Sequence, residues 1–322
     1  MKKRRMRIVK QNYDLICIGM ALVDSIIKGF NPEPISAAGY RAASGNLHIG
    51  GEAVNEALAA VKLGLDTAIL CALGKDTAGD MVVSGLRDHG VDTDLIVRPE
   101  EHSTPVTTML VNDDGTRMSI TNRSHKYNFH PERFMECFAQ TKAITLGSLF
   151  RAPFDDPKII HAVVTAAKEN GVMIFADTKI PNFRALTLSD VAASMPLIDF
   201  ITPNEDEGKY YTGKENPEEM ADVFLGFGVK NVIIKLGSKG CYLKNKEQEI
   251  QLPAFPVEAL DSTGAGDNFI AAFAAEMIGG SAIGDALLFA SACGAICTTA
   301  IGAGTGLKDR EQVKLFLETN QL

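Results

Sequence analysis

Residues 260–280 read LDSTGAGDNFIAAFAAEMIGG. Gly264, Ala265 and Gly266 stand directly before Asp267, and apolar residues follow at Ile270, Phe273, Ala274, Met277 and Ile278. That series repeats at i, i+3, i+4, i+7 and i+8, so the spacing predicts an amphipathic helix ending at Gly279-Gly280. The small residues then lie at the helix N-terminus, where N–H groups lack intrahelical acceptors and the helix dipole favours negative charge. Residues without bulk let a ligand approach the backbone closely. The chemistry this arrangement offers is anion binding. An aspartate in a first helical turn is ordinary capping, which accounts for Asp267 but not for the three small residues ahead of it.

Two other runs carry chemically capable residues. Asn204-Glu205-Asp206-Glu207 follows Thr202-Pro203 and has the form of a capping box, a helix-starting Asn with Glu three residues on. Lys235-Leu236-Gly237-Ser238-Lys239-Gly240 follows an apolar run and reads as a strand leaving into a glycine-rich turn. Two familiar phosphate motifs are absent. The pattern G-x-x-x-x-G-K-[ST] occurs nowhere in the chain, and Phe269 stands where a dinucleotide fingerprint starting at Gly264 needs Gly or Ala.

The elements that must position these residues follow from periodicity. Short apolar runs at 13–19, 67–72, 144–147, 172–176, 200–202 and 231–235 read as buried strands, and helical spacing appears at 51–64, 77–89 and 157–170. Strands alternating with helices predict an α/β fold, a mostly parallel sheet with helices on both faces. Residues 107–111 and 116–121 flank Asn112-Asp113-Asp114-Gly115 and read as a hairpin. With the Gly-, Pro- and Ala-rich segment 31–48, this hairpin segment, about 102–121, is expected to form a small β lid over the sheet, able to exclude water from a site below. The basic start MKKRRMR belongs to a tail over 1–12, and 13–322 is expected to be one domain.

Bulk properties agree. The 322 residues carry a net charge of −8 and 46% hydrophobic residues, enough for a sizeable core and unsuited to nucleic acid or an anionic membrane. No run of about 18 uninterrupted apolar residues is present to span a bilayer. Six scattered cysteines form no CxxC or Cys/His cluster, which points to ordinary core thiols in a reducing, cytoplasmic compartment.

Asp261-Ser262-Thr263-Gly264-Ala265-Gly266-Asp267 with Phe269 resembles the second signature of the ribokinase-like (PfkB) carbohydrate kinases, and Gly50-Gly51 with Ala53, Asn55 and Gly64 resembles their first. Both occur in the family's order, and the resemblance covers nearly the whole chain. It implies the three-layer ribokinase-like fold with a β lid and transfer of a phosphoryl group from ATP to a primary hydroxyl of a small monosaccharide. It further implies that Asp267 is the base for the sugar hydroxyl, with the N–H groups of Ala265, Gly266 and Asp267, in the turn that starts at Gly264, around the moving group. Asp24, Gly50, Gly51 and Asn55 become sugar contacts; on residues alone, Asp24 also reads as a solvated loop acid and Asn55 as an exposed helix position. Lys235, Gly237, Gly240, Ser291 and Asn204 become nucleotide contacts, although many relatives carry asparagine at the place of Ser291. Asn204 and Glu207 become a Mg²⁺ site held through water, and Asp261 and Thr263 the place for a potassium ion.

The departures concern the substrate. Glu52 stands where ribose-specific members have lysine, and Gly147-Ser148-Leu149 resembles fructokinases. Asp177-Thr178-Lys179-Ile180-Pro181-Asn182-Phe183-Arg184 is a stretched D-x-N-x-R element like that of fructose and ketodeoxygluconate kinases, and Lys179 and Arg184 are candidates for phosphates of ATP or of a phosphorylated substrate. His125 and His130 lie after the hairpin, near the sugar or on the surface. A fructose- or ketodeoxygluconate-type sugar is therefore expected ahead of ribose, with a nucleoside or vitamin kinase and a non-catalytic sugar-binding relative as the alternatives. A homodimer through the lid completes the expectations.

Overall fold

The computed structural model describes residues 12–29, 42–112, 116–122, 129–182 and 184–320. The basic segment 1–11, most of the expected lid segment 31–48, the hairpin tip 113–115, and His125 lie outside the described residues.

In chain order the first elements are β1 (Tyr13–Ile18), β2 (Leu22–Lys28), β3 (Ser44–Gly50), α1 (Glu52–Lys62), β4 (Thr67–Leu70), α2 (Thr77–Asp88), β5 (Val106–Val111) and β6 (Arg117–Thr121). Then follow β7 (Thr141–Leu149), α3 (Pro157–Glu169), β8 (Met173–Thr178), β9 (Phe200–Ile201), α4 (Glu205–Thr212), α5 (Pro217–Gly226) and β10 (Asn231–Lys235). The chain ends with β11 (Cys241–Asn245), β12 (Glu249–Leu252), α6 (Ala265–Ile278), α7 (Ile283–Thr298) and α8 (Arg310–Thr319).

Among the described residues the main sheet has the order β12-β11-β10-β9-β8-β7-β1-β4. It is parallel from β4 to β10 and antiparallel at β11 and β12. Side chains alternate across it: Leu15 and Cys17 join the core beneath α1, α6 and α7, whereas Ile16 and Ile18 join the core beneath α3 and α5. All six cysteines are free thiols, as their apolar settings predict.

Three features differ from the sequence reading. First, α6 is not amphipathic: residues Asp267 to Glu276 are continuously buried, because α1 packs on one side and α7 on the other. Alanines at 271, 272, 274 and 275 fill the positions where a surface helix would be polar, so apolar periodicity alone hides the second buried face. Second, a small sheet of order β3-β2-β5-β6 contains a strand, β2, that local pattern does not reveal. Its pairing is wholly non-local, antiparallel to β3 and parallel to β5. Third, the chain makes one more hairpin, β11 to β12, closing the main sheet's edge.

Registers divide the small sheet into two faces. Asp24 pairs with Thr107, and Thr107 with Thr121, on the face that lines the cleft below. Leu47, Ser25, Thr108 and Ile120 share a row on the opposite face, where Leu47 is 59% and Ile120 58% exposed.

Candidate active site

Between the small sheet and the C-terminal ends of the parallel strands lies a cleft of about 1950 Å³. That is where ligands bind in open α/β sheets. At one end it is lined by Asp24, Gly51, Asn55 and Asp267, and at the other by Asn204, Lys235, Gly237, Gly240 and Ser291, with Thr263 to Gly266 between them. Gly50, Glu207 and Asp261 lie behind this lining. Gly50 backs Asp24: a Cβ there would fall 2.2 Å from Asp24 Oδ2. Ser291 faces the cleft but its hydroxyl donates to Leu287 O at 2.8 Å.

The turn before α6 owes its shape to Gly264. This residue sits at φ 76°, ψ 1°, a left-handed conformation that L side chains avoid, and Ala303 packs directly behind it. The bend turns the first N–H groups of α6 into the cleft. Ala265 N–H donates to Ser262 O at 3.3 Å, so Gly266 and Asp267 provide the N–H groups without an acceptor among the described residues. Lys235 Nζ lies beside the turn, 3.1 Å from where a Gly266 Cβ would be. Amides, dipole and ammonium together make the turn an anion site.

Asp267 is buried at 6% exposure. Burial pushes its carboxyl up to about 6; Lys179 opposes the shift, Glu52 adds to it, and a hydrogen bond from Asn55 opposes it. That bond, Asn55 Nδ2 to Asp267 Oδ2 at 2.7 Å, joins residues 212 apart. Asn55 is thus not the exposed helix position its sequence context allows. Asp24 is likewise not a solvated loop acid. It stands on β2, and burial together with the nearby Glu52 carboxylate raises it to about 6, against a lowering by His48.

Sequence reasoning missed Glu56. It lies one residue past Asn55 on α1, fully buried, with Thr145 Oγ1 donating to its Oε2 at 2.5 Å. Burial raises it well above the usual carboxylate range, and Asp267 adds to the rise. An acid in a helix with a polar face looks solvated in sequence; the buried far side of α1 becomes apparent only once α6 covers it.

At the other end of the cleft, α4 begins with the predicted capping box. Glu207 N–H donates to Asn204 Oδ1 and Asn204 N–H to Glu207 Oε2, both at 2.9 Å. Thr178 Oγ1 also donates to Glu207 Oε2 at 2.9 Å. Lys235 Nζ donates to Asp177 Oδ1 at 2.5 Å, and the two nearby ammoniums overcome burial to lower the Asp177 pKa. Asp261 is turned inward: Oδ1 accepts from Thr263 N and Oγ1, and Oδ2 from Gly302 N. His130 lines the cleft and lies 2.9 Å from Glu132.

A buried carboxylate beside an anion-binding helix start, in a cleft roofed by a small sheet, suits transfer of an anionic group to a hydroxyl. Residues 13–310 match the pfkB family carbohydrate kinase. The chain belongs to this family. It is a sugar kinase, a phosphotransferase. The ribokinase of Haemophilus influenzae is 28% identical over 277 residues, 84% of this chain and 87% of its own length. A probable fructokinase of Arabidopsis thaliana is 29% identical, covering 79% of this chain and 83% of its own. The structure of Arabidopsis thaliana ribokinase complexed with ribose and ATP superposes with a TM-score of 0.82 at 27% identity, over 95% of this chain and 99% of that one. The ribokinase-like fold expected from the two signatures is the fold observed.

Proposed function

We propose that the protein transfers the γ-phosphoryl group of ATP to a primary hydroxyl of a small monosaccharide, with Asp267 as the base. The observation that carries this reading is the juxtaposition at the start of α6. One carboxylate, raised toward neutrality, lies within the same turn as two unpaired backbone N–H groups. Phosphoryl transfer asks for that pair, donors for the charge on the moving group and an acceptor for the proton. Asp24, Gly50, Gly51 and Asn55 hold the sugar, Asn55 also by orienting Asp267. Asn204, Lys235, Gly237, Gly240 and Ser291 flank the nucleotide, and the small sheet acts as the lid.

Magnesium supplies charge neutralisation on the phosphates when bound. Among the described residues no group of three metal-ligating side chains exists. Glu207 Oε2 is occupied by Thr178 and Asn204, so Glu207 and Asn204 would hold Mg²⁺ through water. Both Asp261 oxygens already accept hydrogen bonds, from Thr263 and from Gly302, so a potassium ion there would draw on backbone carbonyls as well.

The substrate end is polar and of mixed charge. Asp24, Glu52, Asn182, Arg151 and Arg184 all line the cleft. A lining that offers both carboxylates and cations fits a polyol carrying an acidic or ketonic end, which supports a fructose- or ketodeoxygluconate-type sugar over ribose. The acidic, hydrogen-bonding wall also fits a sugar better than a nucleobase or vitamin ring. An ADP-release assay across neutral sugars, sugar acids, sugar phosphates and nucleosides tests this. Turnover confined to nucleosides would remove the sugar assignment.

A base must be ionised, so turnover should fall as pH drops through about 6, where Asp267 gains its proton. The bond from Asn55 favours the ionised form. In Asn55→Leu the acid limb of the kcat profile therefore moves to higher pH; an unmoved limb would separate Asn55 from the base.

The outer face of the lid carries Leu47, Met118 and Ile120, each more than half exposed on the two outer strands. This apolar face supports a homodimer in which two lids cover each other. Sedimentation velocity should show a dimer that Ile120→Glu dissociates; a wild-type monomer at micromolar concentration rules that assembly out.

A further inference from the structure

Lys179 follows β8 and is held firmly by its backbone. Its N–H donates to Leu149 O at 3.0 Å, and its carbonyl accepts from Tyr211 Oη at 2.6 Å. The next carbonyl, of Ile180, accepts from Arg151 Nε at 2.7 Å. The Tyr211 ring packs 4.3 Å from Phe150, a residue in the left-handed region at φ 77°.

The side chain is anchored differently. It lines the cleft with 25% exposure, and its ammonium lies 3.8 Å from Asp177 Oδ2 and 4.0 Å from Glu207 Oε1. Both separations exceed hydrogen-bond length. Asp177 Oδ2 itself is buried without a hydrogen-bond partner. Lys179 Nζ donates no hydrogen bond among the described residues. Lys235, the other cleft lysine, is bonded to Asp177 Oδ1.

An ammonium that faces the cleft, tethered between two carboxylates but hydrogen-bonded to neither, has its donors available for a ligand's oxygens. Charge says which ligand. Asp177, Asp267, Glu52 and Glu207 all act on this point, and Lys235 is already bonded to one of them, so a second cation is needed to keep an arriving phosphate from meeting net repulsion. Burial works against the charge on Lys179, but those four carboxylates outweigh it and raise its pKa, which favours the charged ammonium.

We propose that Lys179 is a catalytic residue whose ammonium donates to a peripheral oxygen of the transferring phosphoryl group. The inference rests on the phosphoryl-transfer reading above. In the step, the bond from the sugar oxygen to the γ-phosphorus forms as the bond from that phosphorus to the bridging oxygen breaks. The electron pair leaves with ADP, the hydroxyl proton passes to Asp267, and Lys179 keeps its own protons while neutralising the moving charge.

Calorimetric titration of ATP and of ADP, each with magnesium, into wild type, Lys179→Met and Lys179→Arg tests the contact without needing the sugar. A γ-phosphoryl contact predicts that Lys179→Met weakens ATP about tenfold or more and leaves ADP within about twofold, the size of a charge-assisted hydrogen bond. Lys179→Arg, which keeps the charge, retains most of the ATP preference. With a sugar substrate, kcat of Lys179→Met falls by about ten- to a hundredfold with the sugar KM unchanged. Equal weakening of ATP and ADP, or an unchanged ATP preference in a folded Lys179→Met protein, overturns the proposal. Should Lys179→Met fail to fold, loss of the ATP preference in Lys179→Arg does the same. If wild type turns over no sugar, the base reading fails while the ATP-to-ADP ratio still decides Lys179.

Discussion

Asp267→Asn should lose about 10²–10⁴-fold in kcat while melting no lower than wild type. The two halves of this prediction have one cause. Burial raises Asp267 from 3.8 to about 6, and at about 1.36 kcal/mol per unit its ionised form costs the folded protein about 3 kcal/mol at pH 7. For a carboxyl raised in the folded state, that penalty is absent below the unfolded pKa and complete above the folded one, so it is present at neutral pH. Asparagine keeps the shape and removes the charge. The amide of Asn55, which donates to Oδ2 at 2.7 Å, still finds an acceptor oxygen. A residue whose loss stabilises the fold while abolishing turnover is placed there for chemistry. Thermal unfolding and steady-state turnover of the same preparation check both halves; a variant that is destabilised and fully active contradicts the account at once.

The second large effect should come from Gly264→Ala. At φ 76° a Cβ costs about 1–2 kcal/mol in backbone strain. Here it also meets Ala303, whose Cβ and Cα would lie 2.7 and 2.9 Å away. Neither atom is the tip of a flexible chain, so the turn or the 302–304 loop must shift. The loop is itself tied to Asp261 through Gly302 N–H, which resists the move. Displacing the Gly266 and Asp267 amides from the moving phosphoryl group then lowers kcat by about 10²–10³-fold, the effect of losing an oxyanion donor, and lowers the melting temperature as well. Gly266→Ala is the contrast. Its Cβ meets only the end of Lys235 at 3.1 Å and needs no unusual φ, so it should be milder in both respects. Parallel melting curves and kcat values for the two variants test the ranking, and a reversed order would mean that Gly264 does not shape the site.

The turn was legible in sequence because its logic is local. Three small residues, a carboxylate and a helix start lie within seven positions, and the capping box of Asn204 and Glu207 spans four. What sequence concealed depends on distant packing. Asp24 looked like a loop acid because β2 has no alternation of its own and exists through its partners β3 and β5. Asn55 looked exposed because the residue it serves is 212 positions away. Glu56 escaped notice because its partner, Thr145 of β7, is 89 positions away, and α6 looked amphipathic because alanine serves a surface and a tight helix contact equally well. Lys179 and Lys235 both read as cations near phosphate. Only the fold separates them, with Lys235 bonded to Asp177 and Lys179 left with free donors.

The central claim is that this protein moves a phosphoryl group from ATP onto a primary sugar hydroxyl. Proton-coupled phosphorus NMR of the product formed with the best sugar in the panel measures this directly. A phosphomonoester resonance split into a triplet by a neighbouring CH₂ group, appearing in step with ADP, is the predicted result. ADP release without a phosphorylated sugar, or a doublet from a phosphate on a CH carbon, would contradict it.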